Sequence, residues 1–174
     1  MNDRQAGTSG HRASAAGIVA RCAVLIVSDS RTVETDESGP LAARLIESAG
    51  HQVVHRALIP NDDARVHEEI TALLSRDDVD AIILSGGTGL GARDRTVEVV
   101  HPLLERKLPG FGELFRWISH QEQIGSAAIL TRALAGAARS KLVVSLPGSK
   151  AAVDLALSKL LLPELRHVLH EIRR

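Results

Sequence analysis

The chain has one cysteine, one methionine, one tryptophan, two phenylalanines and no tyrosine in 174 residues. A single thiol, Cys22, cannot form an internal disulfide, and no Cys/His cluster has zinc-finger spacing, so a reducing cytoplasm suits the chain best. With so few aromatics there are no stacking platforms for single-stranded nucleic acid. Neither sign of charge is in excess: Lys plus Arg and Asp plus Glu are 21 each. That removes the electrostatic footprint of a nucleic-acid binder. No run of roughly 18 apolar residues occurs, so no segment is expected to span a membrane. The eight histidines are scattered and do not suggest a metal centre.

What remains is a chain 44% hydrophobic and 24% charged, the balance of a globular domain with a substantial core. Residues 1–20 are rich in Ser, Gly, Ala and Arg, lack the apolar block of a signal peptide, and read as a disordered extension. A single domain over residues 21–174 follows.

Its organising stretch is Asp80-Ala81-Ile82-Ile83-Leu84 running into Ser85-Gly86-Gly87-Thr88-Gly89-Leu90-Gly91. The apolar run reads as a strand buried on both faces. The glycines let the backbone approach a ligand closely, and unpaired N–H groups in such a turn cradle phosphate. A flexible connection is the plainer alternative. From Arg95 an amphipathic helix is expected, with Val97, Val100, Leu103 and Leu104 on one side. Asp94, ahead of it, is a carboxylate suited to a metal, and the Thr96 hydroxyl is suited to capping the helix.

The same grammar recurs along the chain. Residues 23–27 predict a strand ending in Ser28-Asp29-Ser30-Arg31-Thr32, followed by a helix from Ser38-Gly39-Pro40 that closes at Gly50. Residues 52–59 predict a second strand, and Pro60-Asn61-Asp62-Asp63 a turn and helix cap. Residues 141–146 predict a strand delivering Pro147-Gly148-Ser149-Lys150 to a helix that Pro163 breaks before a final short helix over 165–172. Alternation of strand and helix implies a mostly parallel sheet with right-handed crossovers, whose ligands sit at the strands' carboxyl edge. Residues 109–116 bring Pro109, Gly110 and Gly112 beside Glu113 and Arg116, with Phe111, Phe115 and Trp117 as aromatic anchors. Residues 124–132 fit a short strand or a helix end, and 133–140 a turn or brief antiparallel excursion.

The combination Ser85 to Thr96, Gly110-Phe111-Gly112-Glu113-Leu114-Phe115-Arg116 and Leu146-Pro147-Gly148-Ser149 resembles the MoaB/MogA family of molybdenum cofactor biosynthesis proteins. The ending Leu161-Leu162-Pro163-Glu164-Leu165 looks more like its MoaB-type branch. The resemblance implies a three-layer α/β/α sandwich of the molybdopterin-binding type. It also implies adenylylation of molybdopterin by Mg²⁺ and ATP, with attack on the α-phosphorus and release of pyrophosphate. Trimers or hexamers are implied too, with other enzymes of the pathway as candidate partners. Matched by motif position, Gly86, Gly87, Thr88 and Gly89 would cradle pterin or phosphate and Asp94 would be the catalytic, metal-associated carboxylate. Glu113 would contact the pterin. Pro147, Gly148 and Ser149 would complete the pocket opposite Ser28 and Asp29. One departure stands out. The enzyme branch has Asp directly after the proline that ends its second strand, whereas Pro60 here precedes Asn61. Asp62 takes that role only if the turn is one residue longer. Two alternatives therefore stay open: a molybdopterin-binding protein without chemistry, and, more distantly, a nucleotide hydrolase of the CinA type.

Overall fold

A computed structural model describes Ala15 and residues 17–174. The extension expected over residues 1–20 lies outside the described residues except at these few positions. There Ala15 and Ala20 are buried, and the Ala20 N–H donates to His51 Nδ1 at 3.1 Å.

Six strands form one sheet in the order β2-β1-β3-β6-β5-β4. They are β1 (Arg21–Val27), β2 (Gln52–Ile59), β3 (Ala81–Ser85), β4 (Arg106–Lys107), β5 (Leu134–Ala138) and β6 (Lys141–Leu146). The first three and β6 are parallel; β5 runs antiparallel to β6, and β4 to β5. Helices α1 (Ser38–Ser48), α2 (Asp63–Leu74), α3 (Thr96–Val100), α4 (Pro109–Ser119), α5 (Lys150–Leu155) and α6 (Leu162–Arg173) cover it.

Side chains alternate across a strand, so the unbroken apolar runs of β1, β3 and β6 feed two cores at once. On one face Val24, Ile26, Ile83 and Val144 meet Ile46 of α1, Phe115 of α4, Val153 of α5 and Leu165 and Leu169 of α6. On the other, Leu25, Ile82, Leu84 and Val143 meet Val66, Ile70 and Leu73 of α2 and Val99 and Val100 of α3. Ile70 is fully buried; a side chain of that size contributes roughly 1.5–3 kcal/mol by leaving water. The result is the expected three-layer α/β/α sandwich.

Register brings the strand tips level. Val27 pairs with Ile59, Ile26 with Ser85, and Ser85 with Leu146, so four parallel strands end at one edge.

Several local expectations give way to tertiary context. The helix after the glycine loop is only five residues long and passes into a 3₁₀ turn at His101–Leu103. Its buried side chains are Thr96, Val99 and Val100, while Val97 is half-exposed. Pro163 does not break the C-terminal helix. The chain continues from α5 through a π-helical stretch, Ala156–Leu161, which resets the hydrogen-bond register so that Pro163 falls in the first turn of α6. There its missing N–H costs nothing. Residues 124–132 form no strand but a helix end: α4 runs on through π-helical (His120–Ile124) and 3₁₀ (Gly125–Leu130) turns, and Thr131 and Arg132 lead out of it. The antiparallel excursion is real: β5 and β6 form a hairpin turning on Arg139 and Ser140, both at positive φ (47° and 60°). In α4, Phe111 and Phe115 stack with centroids 6.4 Å apart, but Trp117 faces outward, 62% exposed.

Candidate functional site

The level strand tips enclose a cleft of 540 Å³ whose walls come from β1, β2, β3, β6 and the turn before β5. From β1 come Ser28, Asp29 and Arg31; from β2, Asn61; from β3, Gly86 to Gly89 with Arg93 and Asp94; from β6, Pro147 and Gly148; Leu130 and Thr131 close the far side.

Each tip is bent by a specific bond. Ser28 Oγ accepts from the Arg31 N–H at 3.2 Å, curling the chain after β1. Asp29 Oδ1 accepts from the Asn61 N–H at 3.0 Å, tying the β1 and β2 tips, and its other oxygen pairs with Arg93 at 2.9 Å. Ser85 Oγ donates to the Pro147 carbonyl at 3.1 Å, tying β3 to β6.

Gly86 and Gly87 lie consecutively at φ 119° and 63°, a region closed to most side chains. A Cβ on Gly87 would meet Thr96 Oγ1 at 2.1 Å and Asn61 Oδ1 at 2.7 Å. The expected helix cap by Thr96 is not made. Arg95 holds the N-cap position of α3 without a side-chain bond, and Thr96 Oγ1 is buried beneath Gly87 with no protein partner.

Asp94 stands at the open end of the loop. Its Oδ2 accepts from the Gly91 N–H at 3.2 Å and lies 2.6 Å from where a Gly89 Cβ would be. Successive backbone amides, two arginines and two carboxylates, Asp29 paired with Arg93, at one sheet edge can hold an anion and balance charge changes on it.

Not every residue singled out in the sequence reaches this cleft. Ser28, Asp29, Gly86, Gly87, Thr88, Gly89, Asp94, Pro147 and Gly148 all line it. Ser149 does not: its Oγ caps α5 by accepting from the Ala152 N–H at 3.2 Å. Asp62 is the N-cap of α2, accepting from the Arg65 N–H at 3.0 Å, and its neighbour Asn61 is the one facing the cleft. Glu113 lines a separate cavity of 200 Å³ with His101, Lys107 and Arg116.

Sequence reasoning missed Arg132. It lies outside every motif, yet its guanidinium donates to the Thr88, Gly89 and Asp94 carbonyls and pairs with Glu98. The bond from Arg132 also holds the Glu98 carboxyl below its ordinary range. A lone arginine after a turn of small and apolar residues carries no local signal for such a role.

Fold and cleft together define an open parallel-sheet α/β protein with an edge cleft chemically suited to an anionic ligand. Residues 23–167 match the family described as a probable molybdopterin binding domain. Molybdenum cofactor biosynthesis protein B of Halalkalibacterium halodurans is 46% identical over 162 residues, covering 93% of this chain and 95% of that one. A crystal structure of a molybdenum cofactor biosynthesis protein B superposes with a TM-score of 0.87 at 44% identity, covering 90% of this chain and 98% of the other. The tungsten cofactor synthesizing protein MoaB from Pyrococcus furiosus superposes at 0.79 with 34% identity, covering 90% and 98%. The chain belongs to the MoaB/MogA family of molybdenum cofactor biosynthesis proteins.

Among the described residues no helix is long and apolar enough to cross a membrane.

Proposed function

We propose that the protein binds molybdopterin in the edge cleft and adenylylates it with Mg²⁺ and ATP. The observation carrying this reading is the Asp94 carboxylate at the mouth of the glycine loop, held by one long bond from its own loop and otherwise available. Molybdopterin bears a phosphate, and the amides of Gly87, Thr88 and Gly89 suit it, the Gly86 N–H being committed to the Leu146 carbonyl at 3.0 Å. In the reaction molybdopterin attacks the α-phosphorus of ATP, the bond from that phosphorus to the bridging oxygen breaks, and pyrophosphate leaves. Such transfers need positioning and charge neutralisation more than covalent help.

Among the described residues no cluster of three or more His, Cys, Asp or Glu side chains could form an all-protein metal cage. Mg²⁺ does not require one, since it is commonly held by one or two carboxylates together with substrate phosphates. Asp94, beside Gly89 and Gly91, and the amide oxygen of Asn61, reaching Gly87 from the β2 tip, are oxygen donors of the kind that fits. Bound there with ATP, Mg²⁺ would supply neutralisation of phosphate charge. Arg31 and Arg93 orient anionic groups from the β1 side and the loop tip, and Asp29 fixes Arg93 in place.

A second reading, binding without adenylylation, is favoured by Asn61, an uncharged amide at the position where the enzyme branch carries Asp. The family's trimeric or hexameric assembly, a cytoplasmic setting and association with other enzymes of the pathway belong to the same proposal.

The deciding experiment is incubation of the purified protein with molybdopterin and Mg-ATP, followed by detection of adenylylated molybdopterin and pyrophosphate. Asp94→Asn should keep molybdopterin binding and lower the rate by about 10²–10³-fold. Wild-type protein that binds molybdopterin and forms no adenylylated product would leave the binding-protein reading in its place.

A further inference from the structure

The loop between β3 and α3 supplies few of its own restraints. Within it the Asp94 N–H donates to the Gly91 carbonyl and the Thr96 N–H to the Gly87 carbonyl, each at 2.9 Å. Three further carbonyls turn toward one side chain from another part of the chain. Arg132 Nε donates to Thr88 O at 3.0 Å, and Nη2 donates to Gly89 O at 2.6 Å and Asp94 O at 2.7 Å. Nη1 pairs with the Glu98 carboxylate on α3. The Arg132 side chain is only 26% exposed, so these bonds compete weakly with water.

In a trans peptide the C=O and the following N–H point in opposite directions. Turning the Thr88 and Gly89 carbonyls toward the guanidinium therefore turns the N–H groups of Gly89 and Leu90 away from it. The bond to the Asp94 carbonyl fixes the backbone that carries the Asp94 side chain. Leu130 and Thr131, just ahead of Arg132, line the opposite wall of the cleft. One guanidinium thus ties both walls together, and Glu98 holds its plane.

We propose that Arg132, oriented by Glu98, is the positioning residue of this site. It fixes residues 88–94 in the shape that presents loop amides and the Asp94 carboxylate to a phosphate-bearing ligand. The ligand's identity rests on the molybdopterin reading above; the clamp does not. A planar fork is required, because a lysine is a point charge on a flexible stem and cannot serve three carbonyls and a carboxylate at once.

The test uses the full chain as wild type, Arg132→Met, Arg132→Lys and Glu98→Gln, followed by hydrogen exchange, molybdopterin binding and adenylylation kinetics. Both Arg132 variants should speed exchange of the internally bonded loop amides, Gly91, Asp94 and Thr96, by at least about tenfold, the scale of losing a charge-assisted hydrogen bond. Exchange in β1, β3 and α2 should stay at the wild-type level. Molybdopterin affinity should fall by a similar factor and adenylylation by about 10²-fold, as for a displaced catalytic group. Glu98→Gln should move each quantity the same way by less. Arg132→Met with wild-type loop exchange and affinity would overturn the proposal, and so would faster exchange throughout the fold, which marks a merely structural arginine. If Arg132→Met does not fold, Arg132→Lys and Glu98→Gln decide on the same criteria. Should wild-type protein bind no molybdopterin, the functional reading fails and loop exchange alone judges the clamp.

Discussion

Arg31 Nη2 donates to the carbonyl oxygen of Gly148 at 2.8 Å, joining the chain after β1 to the chain after β6 across 117 positions of sequence. The same carbonyl accepts from the Ser38 hydroxyl at 3.2 Å, which draws the start of α1 into the knot. Beneath it, backbone packs on backbone. A Cβ at Gly148 would lie 3.3 Å from Gly86 Cα, and a Cβ at Gly86 would lie 2.0 Å from the Val27 carbonyl oxygen. The cleft floor is thus made of main chain, with amides close to any ligand and no room for a side chain at Gly86.

Gly86→Ala should accordingly destabilise the fold by about 3 kcal/mol, combining a positive φ with a clash against main chain that cannot swing aside. Urea unfolding would register this as a lower midpoint at unchanged slope. Gly110→Ala is the control. Gly110 lies in the first turn of α4 with nothing within 4 Å of its would-be Cβ, and the change should stabilise by about 0.5–1 kcal/mol. Equal effects at the two positions would refute the packing argument for Gly86.

The two glycines also show what sequence could reveal. Strands β2 and β6 match their predicted bounds because polar turns bracket them, with β6 an apolar run and β2 a mixed edge strand, and the glycine- and serine-bearing tips mark the sheet edge that holds the cleft. Side-chain allegiance beyond the tips was not legible. Asp62 and Asn61 are adjacent, and only the three-dimensional turn makes one a cap and the other a cleft residue. Ser149 satisfies a helix end for the same reason. Arg132 acts across more than forty residues, and no local pattern encodes a partner at that distance. Pro163 reads as a helix breaker until the π-helical stretch ahead of it is seen.

His51 should make stability depend on pH. It is buried, its Nδ1 accepts from the Ala20 N–H, and burial together with the Arg166 charge holds its pKa below the ordinary 6.5. The folded state therefore binds fewer protons than the unfolded state once pH falls below about 6.5. The contribution is fully present above that value and is lost as pH falls through the folded pKa. Chemical unfolding of wild type and His51→Asn between pH 8 and pH 5 checks it. The gap between them should narrow with falling pH, and parallel curves would refute the assignment.

Trp117 offers a built-in reporter of assembly. It is the only tryptophan, 62% exposed on α4, and Leu114 on the same helix and Ile129 on the following turn are exposed as well. If these apolar side chains meet another copy, as trimers or hexamers of the family would allow, Trp117 emission should shift to the red on dilution. Sedimentation should report the dissociation over the same concentrations. A monomer at micromolar concentration with invariant emission would exclude this face as an interface between copies.

The sharpest contrast lies between two neighbours at the β2 tip. Asp62 accepts from the Arg65 N–H and is the α2 cap, so Asp62→Ala should cost about 1 kcal/mol of stability and leave the activity of folded protein unchanged. Asn61 faces the cleft, its Oδ1 close beside Gly87. Asn61→Asp would place a carboxylate beside Gly87 in the cleft that Asp94 also lines, a stronger ligand for Mg²⁺ than an amide. If uncharged Asn61 limits the chemistry, Asn61→Asp should raise adenylylation by about tenfold or more and lower the Mg²⁺ concentration required. Molybdopterin binding in the absence of metal should weaken, because the added charge repels the phosphate. The two readouts move in opposite directions, which no change in overall stability can mimic. Loss of activity in Asp62→Ala, with Asn61→Asp silent, would transfer the second acidic role to Asp62 and reverse the assignment.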